Sequence, residues 1–276
     1  VNHTRVFPAR LRLLRQSGGA IEVLLLEQQG AVWTALVRGG AKLRPDEELL
    51  ASDGTAVVRF LRRIDDVFEV ELMNERWPLD HGEMPLPPYI SERLEDGERY
   101  QTVYSHDARS AAAPTAGLHL TEKLMGEIEA RGVRILEVEL VVGLDTFKPI
   151  DADDPLQHRM HTEYYRVPEA TWEACRDVRD RGGSVVAVGT TATRALESAA
   201  ATGHLSGRTS LYITPGFDWH VVDKMMTNFH MPRTTLIMMI YSMIGDRWRS
   251  LYEHAIQERY RMLSFGDAML LDRHAR

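Results

Sequence analysis

VVAVGTTATRALESAA, residues 185–200, is the stretch that determines the fold class of the longer part of the chain. Its four leading apolar residues predict a short buried strand over 185–188, and the alanine-rich run after the Gly-Thr-Thr turn predicts a helix over 192–201. Outward from it, segments of helical and extended character alternate over residues 121–261. This alternation predicts an α/β domain, with a mainly parallel layered sheet that has helices on both faces.

Residues 9–72 show a different pattern. Five short segments rich in β-branched and aliphatic residues follow one another without a helix between them, and glycine-containing turns separate them. They predict a small antiparallel β-barrel inserted near the N-terminus. Three prolines in EMPLPPYI, residues 83–90, end the regular structure. We therefore expect residues 1–8 to begin the α/β domain, 9–80 to form the barrel and 81–276 to form the α/β catalytic domain.

The composition indicates a globular protein and argues against a membrane protein or an indiscriminate nucleic-acid binder. With 276 residues, 44% hydrophobic and 26% charged, the chain is typical of globular enzymes. Its net charge of −7 argues against indiscriminate nucleic-acid binding but leaves room for one basic face. The longest apolar run, residues 236–244, is shorter than the roughly 20 residues that a membrane-spanning helix needs. Because the single cysteine cannot form an internal disulfide and no signal peptide is visible, we expect a cytoplasmic protein without a membrane partner.

Two histidines stand in settings that suit catalysis. His119 in PTAGLH and His230 in TNFH each lie in a loop of small or polar residues next to the expected start of a helix. Histidine is the side chain most readily used as an acid or base near neutral pH, although any one histidine is more often structural or solvated. His158 and His161 lack a third ligand at a convincing spacing, so no metal is expected.

The Gly189-Thr190-Thr191 turn could bind an anion, because the amide groups at the start of a helix attract a phosphate or carboxylate. Many such turns use Gly and Thr only for geometry and capping, which leaves both readings open. The sequence has neither GxGxxG nor GxxxxGK[ST], so a dinucleotide fold and a P-loop are not indicated.

Five blocks of sequence carry a family resemblance: YQTVYSHDARSAAAPTAGLHLT (100–121), HRMHTEYY (158–165), VGTTATRALES (188–198), VVDKMMTNFHMPRTTLIM (221–238) and YRMLSFGDAML (260–270). In order and spacing they closely resemble the S-adenosylmethionine:tRNA ribosyltransferase-isomerases, as do NHTRVFPARL at the start and GEMPLPPYI at the domain joint. The resemblance covers essentially the whole chain.

This resemblance implies a step in queuosine biosynthesis. The family transfers the ribosyl part of S-adenosylmethionine to 7-aminomethyl-7-deazaguanine at the wobble position of tRNA and rearranges it, which gives epoxyqueuosine, adenine and methionine. S-adenosylmethionine is then a substrate and no cofactor is expected. The implied partners are S-adenosylmethionine and the tRNA with its modified guanine, and the implied state is a monomer. The family fold is an α/β domain with an inserted β-barrel.

The resemblance also gives the residues roles. It implies that His119 and His230 form the acid and base set, without deciding which is which. The expected substrate-binding residues are Thr115, Gly117, Thr190, Thr191, Arg194 and Asn228. Within this set, either Arg194 or the turn at residues 189–191 is expected to face the methionine carboxylate.

Departures from the family pattern keep other functions open. Family members carry a further N-terminal part ahead of NHTRVFPARL, and His3 stands where aspartate is usual. The family pattern HVGxGTFxP reads VVGLDTFKP at residues 141–149, so Val141 replaces a histidine and Asp145 a glycine. The chain could therefore be a non-catalytic relative that binds tRNA or a nucleoside. It could also be an S-adenosylmethionine-dependent transferase with a different acceptor.

Overall fold

The computed structural model describes residues 1–65, 67–87, 89–90, 94, 96–143, 154–158, 160 and 162–274. The chain divides into two compact units. One unit consists of Val1–Arg5, Glu98–Asp107 and Ala113–Arg276, and the other of Val6–Gly97 and Ala108–Ala112. The domain boundary that we expect near residue 80 stays a prediction.

The unit that contains Val6–Gly97 is built on a closed antiparallel barrel. Among the described residues, six strands close it in the order β2-β3-β4-β7-β6-β5. The strands are β2 (Arg10–Arg15), β3 (Ala20–Gln29), β4 (Val32–Arg38), β5 (Glu48–Leu50), β6 (Ala56–Ile64) and β7 (Val67–Leu72), and a short helix α1 (Trp77–His81) follows. This confirms the predicted barrel and adds β5, which pairs with both β2 and β6.

Alternation of side chains explains why these strands close on themselves. Leu11, Val23, Leu25 and Val70 are fully buried inside the barrel, and more exposed residues such as Arg12, Glu22 and Glu69 alternate with them along the strands. On the outer surface arginines lie opposite glutamates of the neighbouring strand. Arg62 Nε lies 2.5 Å from Glu69 Oε2, and Arg59 Nη1 lies 3.2 Å from Glu71 Oε2. These cross-strand pairs neutralise much of the positive charge of the barrel arginines.

The unit that contains Ala113–Arg276 combines helices with short strands. Its strands are β9 (Glu139–Leu140), β10 (Glu163–Arg166), β11 (Val186–Val188), β12 (Ser206–Thr209), β13 (Lys224–Asn228) and β14 (Ala268–Asp272). Its helices are α2 (Glu122–Glu129), α3 (Glu169–Asp180), α4 (Thr190–Thr202), α5 (Thr235–Ile244) and α6 (Arg247–Gln257). Elsewhere β1 (Thr4–Val6) pairs with β8 (Asp107–Ser110).

The strands of this unit form two three-stranded sheets within the described part of the chain. One has the order β12-β10-β9 and is antiparallel, and the other has the order β11-β13-β14. In the second sheet β11 and β13 are parallel, whereas β13 and β14 are antiparallel. An α/β character is therefore present, but the expected mainly parallel sheet is not confirmed. The alternation of helix and strand signals did not reveal that β10 and β14 return in the opposite direction.

Helix α4 forms the centre of this unit. Its first ten residues are all buried, and the carboxylate of Glu197 is completely enclosed. Glu197 accepts hydrogen bonds from three successive backbone N–H groups, at 2.9 Å from His220, 3.0 Å from Val221 and 2.8 Å from Val222. These bonds compensate for burying the charge and fix the segment that leads into β13. In the described residues no helix combines the length and hydrophobicity needed to cross a membrane.

Candidate active site

A 3-10 turn, Thr115–His119, contains three of the predicted site residues: Thr115, Gly117 and His119. Pro114 precedes the turn, and its carbonyl accepts from Gly117 N at 2.8 Å. Thr121 then caps helix α2 by accepting from Leu124 N at 3.2 Å through its side chain. A turn held at both ends in this way fixes the backbone from which Thr115 and His119 extend.

Asn228 joins both of these residues at the end of β13. Its Oδ1 lies 2.9 Å from His119 Nε2, and its Nδ2 donates to Thr115 Oγ1 at 2.9 Å. Because Nδ2 is used on Thr115, the atom that faces His119 is an acceptor, so His119 Nε2 carries the hydrogen. In the tautomer that this bond selects, the lone pair is on Nδ1. Three predicted residues thus form one hydrogen-bonded network.

Gly117 lies against Tyr104, where no side chain fits. A Cβ on Gly117 would come within 1.9 Å of the Tyr104 hydroxyl and 2.9 Å of Thr102 Cγ2. Burial raises the pKa of Tyr104, so the phenol is neutral. The glycine is required here because the tyrosine packs directly against the turn that carries His119.

We expect Gly117→Ala to shift this turn and to destabilise the protein by about 1–3 kcal/mol, because the added methyl overlaps Tyr104. Urea unfolding and the rate of the catalysed reaction both measure the effect. Adding Tyr104→Phe removes the atom in closest conflict and should restore part of the loss. A double variant no better than Gly117→Ala would show that the hydroxyl is not the cause.

The turn between β11 and α4 lies beside the turn Thr115–His119. Gly189 has a φ of +91°, which an L side chain rarely adopts, and a Cβ there would contact Ala116 Cβ at 3.6 Å. Thr190 and Thr191 follow in the first turn of α4, and both are buried. Thr191 Oγ1 is buried without a hydrogen-bond partner among the described residues. Together with the amide groups at the helix start, this hydroxyl gives the turn unused hydrogen-bonding capacity.

Arg194 is held by a buried ion pair one turn further along α4. Its Nη1 bonds Glu163, its Nε donates to the Leu211 carbonyl at 3.2 Å, and Glu163 Oε1 accepts from Gly143 N at 3.1 Å. Both side chains are at least nine-tenths buried. Arg194 Nη2 has no hydrogen-bond partner among the described residues. Arg194 therefore has a structural partner already and keeps only one donor group for a ligand.

His230 is separate from the network around His119. Its Nε2 lies 2.8 Å from Thr227 Oγ1, and its backbone N donates to the Tyr252 hydroxyl at 2.9 Å. Most of the residue is shielded from solvent, and this burial lowers the pKa of His230 from 6.5 to about 4. His230 is therefore a neutral imidazole at pH 7.

This lowered pKa makes stability depend on pH. The folded state resists protonation of His230 until about pH 4, whereas the unfolded chain binds that proton near pH 6.5. Stability is consequently lost as the pH falls through this window. At pH 5 we expect wild type to have lost about 1–2 kcal/mol more than His230→Gln, which keeps a donor toward Thr227 but does not titrate. Urea titrations of both proteins at pH 7 and pH 5 measure the difference, and equal losses would contradict it.

Comparison with known proteins identifies the family. A family model described as "Queuosine biosynthesis protein" matches residues 1–271 of this chain. The chain belongs to the queuosine biosynthesis protein family. The match includes all eight predicted site residues, His119 and His230 among them.

Individual members of the queuosine biosynthesis protein family are similar over nearly the whole chain. A protein named S-adenosylmethionine:tRNA ribosyltransferase-isomerase from Symbiobacterium thermophilum is 45% identical, over 98% of this chain and 83% of the relative. The protein of that name from Acaryochloris marina is 42% identical, over 98% and 78%. A crystal structure of S-adenosylmethionine tRNA ribosyltransferase from Thermotoga maritima matches with a TM-score of 0.50 and 30% identity, covering 98% of this chain and 80% of that one.

Sequence reasoning did not single out several residues that line these sites in this family member. Tyr104, Thr227 and Glu163 lie inside the blocks that carry the family resemblance, but their types gave no reason to select them. Asp267 is a fourth. Its pKa is lowered mainly by the hydrogen bond that it accepts from Arg261 N at 2.7 Å, and it lies close enough to His119 to interact with it electrostatically. The hydrogen bond between Asn228 and His119 gives no indication that Asp267 lies nearby.

Of the two departures at residues 141–149, the structure describes only Val141. Val141 donates its backbone N to Tyr164 O at 2.9 Å and carries no titratable group. Asp145 lies outside the described residues, and so does His161. The side chain of Val141 therefore contributes no acid or base beside β9.

Proposed function

We propose that this chain is an S-adenosylmethionine:tRNA ribosyltransferase-isomerase. It would transfer and isomerise the ribosyl part of S-adenosylmethionine onto 7-aminomethyl-7-deazaguanine at the tRNA wobble position, with release of adenine and methionine. The observation that carries the proposal is the network of His119, Asn228 and Thr115, which joins residues 109 and 113 positions apart in a member of this family. The names of the similar proteins support the same activity.

The reaction needs a base and an acid. Hydrogens on a carbon next to a sulfonium are acidified, so a base close to that carbon can remove one and start the loss of adenine, which then leaves with a proton. His119 offers its Nδ1 as the proton acceptor, because Asn228 holds Nε2–H in place. Because burial lowers the pKa of His230 to about 4, this residue is the weaker candidate for the acid at pH 7. We assign His119 to proton transfer and His230 to a neutral hydrogen-bonding role.

The turn at residues 189–191 is the better candidate for the methionine carboxylate. Amide groups and the positive end of the helix dipole favour an anion at the start of α4, and the buried Thr191 hydroxyl adds a donor. Arg194 already compensates the charge of Glu163, so its attraction for a second carboxylate is reduced. It would assist only through Nη2.

The acceptor base fits a single-stranded recognition mode. A base in an anticodon loop can be splayed out, stacked and read at its edges, so that one local surface suffices. The net charge of −7 is compatible with this, since only the loop and its neighbouring phosphates need contact. The monomeric state and the cytoplasmic location remain predictions.

One assay separates the candidate functions. The chain is incubated with S-adenosylmethionine and a tRNA that carries the deazaguanine precursor, and adenine, methionine and the tRNA nucleosides are followed by mass spectrometry. We expect adenine, methionine and a heavier wobble nucleoside. Adenine release with unchanged tRNA would favour a transferase with a different acceptor. Binding of tRNA without any product would favour a non-catalytic relative.

A further inference from the structure

A group of metal-binding side chains lies outside the candidate active site. His3, His106 and Asp107 offer three ligand atoms that all lie within 4.8 Å of one another. His3 Nδ1 is 3.9 Å from Asp107 Oδ2, and His106 Nδ1 is 3.8 Å from Asp107 Oδ1. All three residues belong to the same compact unit. The carboxylate thus faces the same nitrogen of both imidazoles.

The backbone holds the two histidines side by side. His106 N donates to His3 O at 3.1 Å, and the rings stack with centroids 4.2 Å apart and planes 5° from parallel. His3 is 8% exposed, and its Nδ1 is buried without a hydrogen-bond partner among the described residues. Burying a ring nitrogen without a hydrogen-bond partner costs free energy that binding a ligand would recover. His3 Nδ1 is therefore an unused ligand atom that already lies near the Asp107 carboxylate.

Glu137 supplies a second feature of metal sites. His106 Nε2 lies 3.1 Å from Glu137 Oε2, so Nε2 carries the hydrogen and Nδ1 keeps its lone pair toward Asp107. A carboxylate on the far nitrogen is the usual way in which a protein orients a histidine ligand and increases its basicity. Two imidazoles and one carboxylate form a donor set typical of Zn²⁺ and related divalent transition metals.

We propose that His3, His106 and Asp107 bind a divalent transition-metal ion of the zinc class, with Glu137 as the residue that orients His106. Zinc–nitrogen bonds are about 2.0–2.1 Å long and lie in the plane of the imidazole, so one of the two stacked rings must turn out of the stack as the ligand atoms close around the ion. The side chains of His106 and Asp107 are 53% and 50% exposed and can rotate to do this. The ion would tie the start of the chain to the segment that enters β8 and to Glu137, which is a structural role separate from the reaction.

The expectation of no metal rests on the spacing of His158 and His161, and sequence spacing could not reveal this second set. His3 and His106 are separated by more than a hundred residues and are brought together only by the fold. The proposal does not depend on the proposed function, and its test needs no substrate.

Zinc binding to the whole chain tests the proposal by titration calorimetry in a non-chelating buffer. We expect one Zn²⁺ per chain, and a midpoint of thermal unfolding that rises with the logarithm of the zinc concentration. His106→Gln retains a donor toward Glu137 but lacks Nδ1, and His3→Gln and Asp107→Asn each remove one ligand. Each should weaken Zn²⁺ binding at least about 100-fold, and Glu137→Gln about tenfold.

The matched control is His254→Gln, which changes an exposed histidine on α6 of the same unit. It should bind Zn²⁺ as wild type does. Circular dichroism and the unfolding midpoint without zinc show whether each variant is folded, and only folded variants are compared. Wild-type affinity in both His106→Gln and Asp107→Asn would overturn the proposal, as would the absence of Zn²⁺ binding by wild type.

Discussion

Replacing His119 by alanine is expected to lower kcat for formation of the modified tRNA base by about 10²- to 10⁴-fold, because the variant lacks the imidazole that we assign to proton transfer. The protein should remain folded, since His119 is only half-buried and leaves Asn228 bonded to Thr115. Single-turnover release of adenine measures the effect. A rate within threefold to fivefold of wild type, about one kcal/mol or less, would remove His119 from the reaction.

His119→Gln distinguishes chemistry from positioning. Its amide nitrogen occupies nearly the place of Nε2 and can still donate to Asn228 Oδ1, but it cannot transfer a proton. If proton transfer is the role of His119, the glutamine variant is as slow as the alanine variant. Recovery of most of the activity in His119→Gln would show that the residue only holds Asn228 in place.

The largest loss of stability is expected from Arg194→Met. It leaves the buried carboxylate of Glu163 without its cation, and breaking a buried pair in this way costs about 3–5 kcal/mol. Urea unfolding, followed by circular dichroism, measures the loss. Adding Glu163→Met removes the uncompensated charge, so the double variant should recover a large part of the stability.

The control for this prediction lies on the barrel. Arg62→Met breaks a pair with Glu69 in which the arginine side chain is 67% exposed, and its effect should be much smaller because water screens exposed charges. An Arg194→Met variant no less stable than Arg62→Met would show that the buried pair contributes little. If the variant with both Arg194→Met and Glu163→Met loses as much stability as the two single variants together, the two side chains do not interact.

The barrel was predictable because its information is local. Each of the strands β2, β3, β4, β6 and β7 is marked by alternating apolar residues within it and by turn residues directly beside it in the sequence. Strand β5, with the sequence ELL, is too short and has no β-branched residue, so nothing local marks it. Its existence follows from closure, because the barrel needs a strand between β2 and β6.

The sheets of the other unit depend on contacts that local patterns do not encode. Strand β12, Ser206–Thr209, has no aliphatic side chain, so no local apolar pattern predicts it. Its pairing with β10 supplies the hydrogen bonds that its composition would not favour alone. Direction is also a long-range property, and so β13 lies parallel to β11 yet antiparallel to β14.

In the candidate active site too, the sequence identifies residues but not the contacts between them. Family blocks pointed to His119, Thr115 and Asn228, but not to the bonds that join them, since those depend on packing β13 beside the turn at Thr115–His119. The sequence predicts an acid or base role for both His119 and His230 and does not distinguish them. The structure separates them, because His119 bonds Asn228, whereas His230 bonds Thr227 and burial lowers its pKa to about 4. The buried partner of Arg194 was likewise invisible, since Glu163 lies 31 residues away.

The stoichiometry of the reaction tests the central claim most directly. Adenine release and formation of the new wobble nucleoside are quantified together, for wild type, His119→Gln and the control His254→Gln, with S-adenosylmethionine and precursor tRNA. We predict one adenine per nucleoside formed in wild type and control, and a parallel fall of both products in His119→Gln. Full nucleoside formation by His119→Gln, or adenine release by wild type without any change in the tRNA, would contradict the account.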